Sequence, residues 1–388
     1  MKIRYVSQLH DFELKRGYTG TVDDLMEQIR FVERVGFEGI WLGEHHLGPE
    51  GLCNSPNPIL MLGYIAGQTD FSSYGLACVT APTWHPIRLA EDLAILDHLT
   101  KGRLHVGFGR GVFHRDTAPF HPNADCRKDE SRALTGEVID IVKKAWSEEF
   151  FSHQGPNYTF PPSGIPHHPW SPTELPHVDK DGFITKLCVL PKPRQRPHPP
   201  IWVMVASEGA TRLAAEHGYN CIAAGTSIDI IRDWLALYAE LRSKKEGRDY
   251  AIGECWAIQR PLCVARTMEE ARQRFEPFIR RQREYQALYR GAHALDYQKT
   301  TLGKASDWDW DVLQQKAMFA GTPDDVGERF QELKDLGIES ANVWTDAGGF
   351  PHEMSMQTLE LFAAEVMPKL VDNAAPRRGA GMPQETRV

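Results

Sequence analysis

One phrase of hydrophobic and polar positions recurs along the chain: an amphipathic helical stretch, a glycine, then a short apolar run. It reads Phe31-Val32-Glu33-Arg34-Val35-Gly36-Phe37-Glu38-Gly39-Ile40-Trp41-Leu42 near the start and Leu213-Ala214-Ala215-Glu216-His217-Gly218-Tyr219-Asn220-Cys221-Ile222-Ala223 in the middle. Near the end it returns as Leu333-Lys334-Asp335-Leu336-Gly337-Ile338-Glu339-Ser340-Ala341-Asn342-Val343-Trp344. The glycine suits the left-handed position just past a helix, and an apolar run suits a parallel strand covered on both faces. Three such joints imply one α/β unit used throughout. Periodicity predicts strands over Ile3–Leu9, Gly39–Glu44, Tyr74–Thr80, Leu104–Phe108, Ile201–Ala206, Asn220–Ala223, Trp256–Val264 and Ser340–Trp344. Helices fall between them, among them Val22–Val35, Ile87–Leu99, Ser131–Trp146, Ile228–Glu246 and Met268–Tyr289. This alternation favours a TIM (β/α)8 barrel over a doubly wound sheet.

Two segments break the alternation. Twelve of the 26 prolines lie between His153 and Pro200, which reads as an insertion between strands four and five. The stretch Gly291–Asp311, ending Asp307-Trp308-Asp309-Trp310-Asp311, is a candidate lid after strand seven. Residues 1–370 are expected to form one domain and 371–388 a flexible tail.

Composition narrows the class further. With 44 basic against 52 acidic residues the net charge is −8, which gives no general attraction to nucleic acid. Hydrophobic residues at 41% and charged residues at 25% fit a globular chain, and no apolar run reaches membrane-spanning length. The seven cysteines form no C-x-x-C pair, which fits reduced thiols and a cytoplasmic setting without a zinc framework.

Barrel enzymes keep their chemistry at the C-terminal ends of the strands. Strand two leads into Glu44-His45-His46, strand three through Ala77-Cys78 into Pro82-Thr83-Trp84-His85-Pro86, strand four into Gly109-Arg110-Gly111, and strand five into Ala206-Ser207-Glu208-Gly209. Ser207 and the backbone N–H groups after it suit a phosphate, with Arg110 as the matching cation; a plain helix cap and a solvated arginine is the rival reading. Gly109 and Gly111 would let the backbone approach a ligand. Gly107-x-Gly109-x-Gly111 lacks the spacing of the dinucleotide fingerprint. Adjacent strand residues face opposite ways, so His45 and His46 would not converge on one metal ion. One of them facing the mouth suits a hydrogen-bond donor or general base; two structural histidines is the alternative. Trp41, Trp84, Phe113, Trp308 and Trp310 supply an aromatic surround that would suit an apolar or aromatic organic substrate.

In order and spacing, Trp41-Leu42-Gly43-Glu44-His45-His46, Pro82-Thr83-Trp84-His85-Pro86, Leu99-Thr100-Lys101-Gly102-Arg103 and Gly107-Phe108-Gly109-Arg110-Gly111 resemble the bacterial luciferase-like flavin monooxygenases, especially the luciferase α subunit. The likeness is densest from Ile29 to Trp146, resumes over Pro200–Gly218 and stays collinear to Leu370. The resemblance implies a TIM barrel that takes FMN as FMNH₂ from a separate NAD(P)H:flavin reductase and forms a flavin C4a-hydroperoxide with O₂. It implies a catalytic histidine at His45 with Glu44 as a site-shaping carboxylate. It also implies a cofactor-binding set of Ala77, Cys78, Gly109, Arg110, Gly111, Val112, Ala206, Ser207 and Glu208, with a non-prolyl cis peptide at Ala77–Cys78. A dimer through Pro58–Gln68 and Leu89–Leu99 is expected on the same ground. The chain departs from luciferase at Gly109, Phe113 and Ala210, where luciferase has Cys, Tyr and Thr, which counts against light emission. A deazaflavin-dependent hydride-transfer enzyme and a non-catalytic flavin-binding relative are the alternatives.

Overall fold

The computed structural model describes residues 1–51, 53–168, 176–290, 310–316 and 318–370. Its eight barrel strands are β1 (Lys2–Ser7), β2 (Gly39–Leu42), β3 (Ser73–Thr80), β4 (Leu104–Gly109), β5 (Ile201–Val205), β6 (Asn220–Ala224), β7 (Trp256–Val264) and β8 (Ser340–Trp344). They lie in the order β7-β8-β1-β2-β3-β4-β5-β6, all parallel, and β6 pairs back onto β7 to close the barrel. The helices used below are α1 (Gly17–Val35), α2 (Pro58–Ala66), α3 (Pro86–Leu99), α4 (His114–Thr117), α5 (Glu130–Ser147), α6 (Glu208–His217), α7 (Ile228–Glu246), α8 (Met268–Arg290), α9 (Trp310–Lys316), α10 (Pro323–Asp335) and α11 (His352–Leu361).

The three joint glycines adopt the left-handed conformation expected of them, with φ of 96° at Gly36, 76° at Gly218 and 75° at Gly337. Some strand ends fall earlier than periodicity suggests. β1 stops at Ser7 because Leu9 takes φ 51° and turns the chain away. β2 stops at Leu42, and His45 N–H donates to Ser55 O rather than to a strand, so Glu44-His45-His46 lie beyond the sheet. α1 starts at Gly17 instead of Val22, its first turn supported by Thr21 Oγ1 donating to Gly17 O and by a two-pronged Arg16–Asp24 pair. Three short features escaped periodicity: α4, a hairpin of His153–Gln154 with Thr159–Phe160, and a strand at Phe319–Gly321 that pairs with Leu262–Val264 of β7.

The N-terminal end of the barrel is plugged. Trp41 and Trp202 fill the lumen with Val6, Ala77, Ile222 and Ala257. Gly75 must lack a side chain, since a Cβ there would sit 2.0 Å from the Trp41 indole. The Arg4 guanidinium lies 4.8 Å from the Trp41 ring and 5.2 Å from the Trp202 ring and pairs with Glu38 at 2.6 Å. Trp41 therefore belongs to the plug and not to the mouth expected for it. Trp310 is also buried, packing with Phe275, Ile279 and Leu313. Gly291–Asp309, most of the expected lid and including Trp308, lies outside the described residues, as does 371–388.

The proline-rich segment does separate α5 from β5. Much of it is tied to the N-terminal side of the barrel: Lys192 Nζ donates to Ala145 O, and Gln195 reaches Asp97. Its hairpin is clamped by Glu137, which accepts from Asn157 N, Tyr158 N and Asn157 Nδ2 and lies 3.0 Å from His153 Nε2. Tyr158 and Phe160 place their rings against His85, at the start of α3, so the hairpin edge extends to the mouth side.

Candidate active site

The strand order sets β2, β3, β4 and β5 side by side, so the residues following them share one sector of the mouth. His45 and His46 part there. His45 Nδ1 lies 2.8 Å from Asp116 Oδ2 on α4, and its ring stands 5.6 Å from that of Phe113. His46 Nε2 lies 2.8 Å from Glu44 Oε1, with its ring 4.7 Å from Phe120. A carboxylate on Nδ1 fixes the ring and leaves Nε2 of His45 as the position for a substrate or cofactor atom.

Glu44 is wholly buried and accepts from Thr80 N–H, Thr83 Oγ1 and Trp84 Nε1 in addition to its contact with His46. Its oxygens are saturated. The residue therefore ties the ends of β2 and β3 together and holds Trp84 and His46 in place.

The lumen above the plug is open on its apolar side. Met204 sits within β5 yet is 37% exposed, which requires free space in front of it. Cys78 adjoins Met204, and the Ala77–Cys78 peptide is cis as expected. Burial pushes the Cys78 thiol up to about 12, so it is a neutral surface there. Gly109 lies over Cys78, where an added Cβ would come within 3.3 Å of Cys78 Cβ. Gly111 has φ 86°, and its missing Cβ would meet Thr117 at 2.3 Å, so packing against α4 requires it rather than approach of a ligand. Val112 is 43% exposed beside it.

Arg110 is half-buried and forms an ion pair with no carboxylate among the described residues. Burial first, and the Arg132 guanidinium second, hold its pKa below the usual arginine range. Such a cation is stabilised by an incoming anion. On the neighbouring strand, Ala206 leads into Ser207, the N-cap of α6, whose Oγ accepts from Ala210 N at 3.2 Å. The hydroxyl hydrogen and the first N–H groups of α6 remain available to an anion. The Glu208 side chain turns outward to Arg212 at 2.8 Å, leaving only its backbone as a candidate contact.

Sequence reasoning missed the other half of the mouth. After β1, His10 Nε2 lies 3.1 Å from Gln8 Oε1 and 3.6 Å from Cys53 Sγ. After β8, Asp346 Oδ2 accepts from Ser7 Oγ at 2.7 Å and from Gln8 N–H. The same rule, polar residues just past a strand end, would have found His10 and Asp346, whereas Gln8 fell inside the strand predicted over Ile3–Leu9. Asp116 carried no such signal, because α4 is a single short turn.

A family model described as luciferase-like monooxygenase matches residues 1–340, and the chain belongs to that family. It is 29% identical over 198 residues to the oxygenase component of a flavin-dependent trigonelline monooxygenase from Acinetobacter baylyi, covering 51% of this chain and 47% of that one. The match thus spans about half the length of that relative. The oxygenating constituent of 3,6-diketocamphane monooxygenase from Pseudomonas putida, solved with FMN, superposes with a TM-score of 0.71 at 22% identity over 96% of this chain and 99% of that one. An F420-dependent secondary alcohol dehydrogenase shares the fold with a TM-score of 0.67 at 16% identity, covering 96% and 99%. The chain is thus a luciferase-like monooxygenase by family, on a barrel fold that an F420-dependent enzyme also has.

Proposed function

We propose that the chain is the oxygenating component of a two-component monooxygenase. It would take FMNH₂ from a separate NAD(P)H:flavin reductase and insert one oxygen atom from O₂ into an apolar or aromatic organic substrate through a flavin C4a-hydroperoxide. The observation that carries this reading is the half-buried Arg110, without an ion pair among the described residues, which follows β4 in the same sector of the mouth as His45 after β2 and the exposed Met204 of β5. Arg110, the Ser207 hydroxyl and the N-terminal amides of α6 would hold the flavin phosphate, as charge-assisted contacts do elsewhere. Cys78 and Met204 would offer an uncharged bed for the ring system, with Ala77 part of the plug beneath it and Gly109 packed close against Cys78. His45, held by Asp116, would donate or accept a proton at Nε2. Glu44 acts through Trp84 and His46 as a positioning residue. Excluding water from this lumen protects a reactive oxygen adduct from loss as H₂O₂.

Turnover tests the reading against its deazaflavin rival. FMNH₂ with O₂ is expected to oxygenate substrate, and reduced deazaflavin under argon is expected to do nothing. The reverse pattern overturns the proposal.

A homodimer fits the exposed apolar side chains on the two early helices. Leu60 and Tyr64 stand one turn apart on α2, and Ile95 and Leu99 one turn apart on α3, with exposures from 45% to 73%. Sedimentation at twice the chain mass is the expected result, and a monomer at micromolar concentration contradicts it. No helix among the described residues is long and apolar enough to cross a membrane. Seven cysteines without a C-x-x-C pair support a cytoplasmic setting as part of this reading.

A further inference from the structure

Alternation along β5 decides which way Met204 points. Trp202 belongs to the plug inside the barrel, and successive strand residues face opposite ways, so Met204 enters the lumen one layer above it. Val203, between them, packs the other way, into the core shared with the surrounding helices. Trp202 pairs with Gly107 and Val203 with Phe108, which sets Gly109 of β4 next to Met204; on its other side Met204 pairs with Ile222 of β6. Gly109 has no side chain to cover the thioether, and Met204 keeps 37% of its surface exposed.

This separates Met204 from the other methionines. Among the described residues, Met26, Met318 and Met367 are buried, and Met1, Met61, Met268, Met354 and Met356 are half-buried. None of them reaches the exposure of Met204. A competing nucleophile, Cys78, adjoins it, but burial keeps that thiol protonated and it is the thiolate that attacks peroxides. A thioether needs no deprotonation, so Met204 is placed to react first with a peroxide that enters the lumen.

We infer that Met204 is an oxidative modification site at which peroxide switches this lumen from apolar to polar. A sulfur lone pair attacks one oxygen of H₂O₂, and the S–O bond forms as the O–O bond breaks. The proton on the transferred oxygen passes to the departing hydroxide, which leaves as water; sulfur has lost two electrons and the peroxide has gained them. The sulfoxide is a strong hydrogen-bond acceptor in a place where neither Ile222 nor Gly109 has a side-chain donor to satisfy it. That flavin occupies this lumen, and that turnover without substrate supplies the H₂O₂, rest on the reading above; preferential oxidation of Met204 does not.

Limited H₂O₂ treatment of the full chain before flavin is added, followed by digestion and peptide mass measurement, tests the site. Met204 is expected to gain one oxygen at least about fivefold faster than Met61 or Met356. Fluorescence titration should then show FMN affinity lowered about tenfold, restored by methionine sulfoxide reductase, and retained by Met204→Leu after the same treatment. Met204→Gln, which sets a polar group of similar length there, should bind FMN about as weakly as the oxidised chain without any peroxide. Oxidation of Met204 no faster than of Met61 and Met356, FMN affinity untouched by full conversion, or an equal peroxide-induced loss in Met204→Leu overturns the proposal. Rapid oxidation of Met204 in a chain that binds no FMN before treatment leaves the modification site standing and sinks only the flavin reading.

Discussion

The two ends of the barrel are built from the same strands and treat charge in opposite ways. At the N-terminal end, Arg4 pairs with Glu38 and lies against two indole faces, with its Nη1 making no hydrogen bond, and His105 Nδ1 accepts from Trp202 Nε1 at 3.0 Å. At the C-terminal end, Arg110 pairs with no carboxylate among the described residues, and an interior strand residue, Met204, faces open space. Paired charge in a filled lumen serves stability, whereas a half-buried charge without an ion pair at the mouth costs stability and favours an incoming group of opposite sign. The contrast separates the part of the barrel that holds the fold from the part proposed to do chemistry.

The largest expected effect breaks the plug. Arg4→Ala leaves the Glu38 carboxylate without its cation, and the urea unfolding free energy should fall by about 3–5 kcal/mol. Arg110→Ala should change it by less than about 1 kcal/mol; similar losses would erase the contrast between the ends. Next, His45→Ala should lower product formation about a hundredfold while FMN affinity shifts less than about threefold, measured by turnover and by fluorescence titration. Arg110→Ala should do the converse, weakening FMN binding about tenfold, and equal effects of the two on affinity would undo the division of roles. The last effect concerns pH. Burial, then Arg4, push the His105 pKa down to about 3 from an ordinary 6.5. The unfolded chain therefore takes up the proton first, and the stability contributed by neutral His105 is full above pH 6.5 and lost as pH falls towards 3. His105→Gln should flatten the fall in urea midpoint over that window; an unchanged slope would place the titration elsewhere.

Much of the barrel was legible because its signals are local. A glycine closing a helix before an apolar run marks a joint without reference to the rest of the chain, and the joints at Gly36, Gly218 and Gly337 all appear in the structure. Strand endings were read less well, since the turn at Leu9 and the departure after Leu42 depend on what the neighbouring chain offers. At the mouth, Glu44 and His45 were found by position alone. Their differing surroundings, saturation for one and a single carboxylate for the other, arise from residues 36 to 71 positions away. The absence of an ion-pair partner among the described residues, which distinguishes Arg110, is a property of the folded neighbourhood and has no trace in spacing. Trp41 illustrates the converse error: an aromatic at a strand end reads as a mouth residue until Gly75 opens a slot for it inside the lumen.

Rapid mixing tests the central claim most directly. The chain is combined with FMNH₂ without oxygen, and O₂ is then added while the flavin absorbance is followed. A transient flavin–oxygen adduct that outlasts the oxidation of free FMNH₂, and decays faster in Arg110→Ala, is the predicted result. Direct return to oxidised FMN at the rate of free flavin, with H₂O₂ released in equal amount, would contradict the assignment of the open end of the barrel as an oxygenase site.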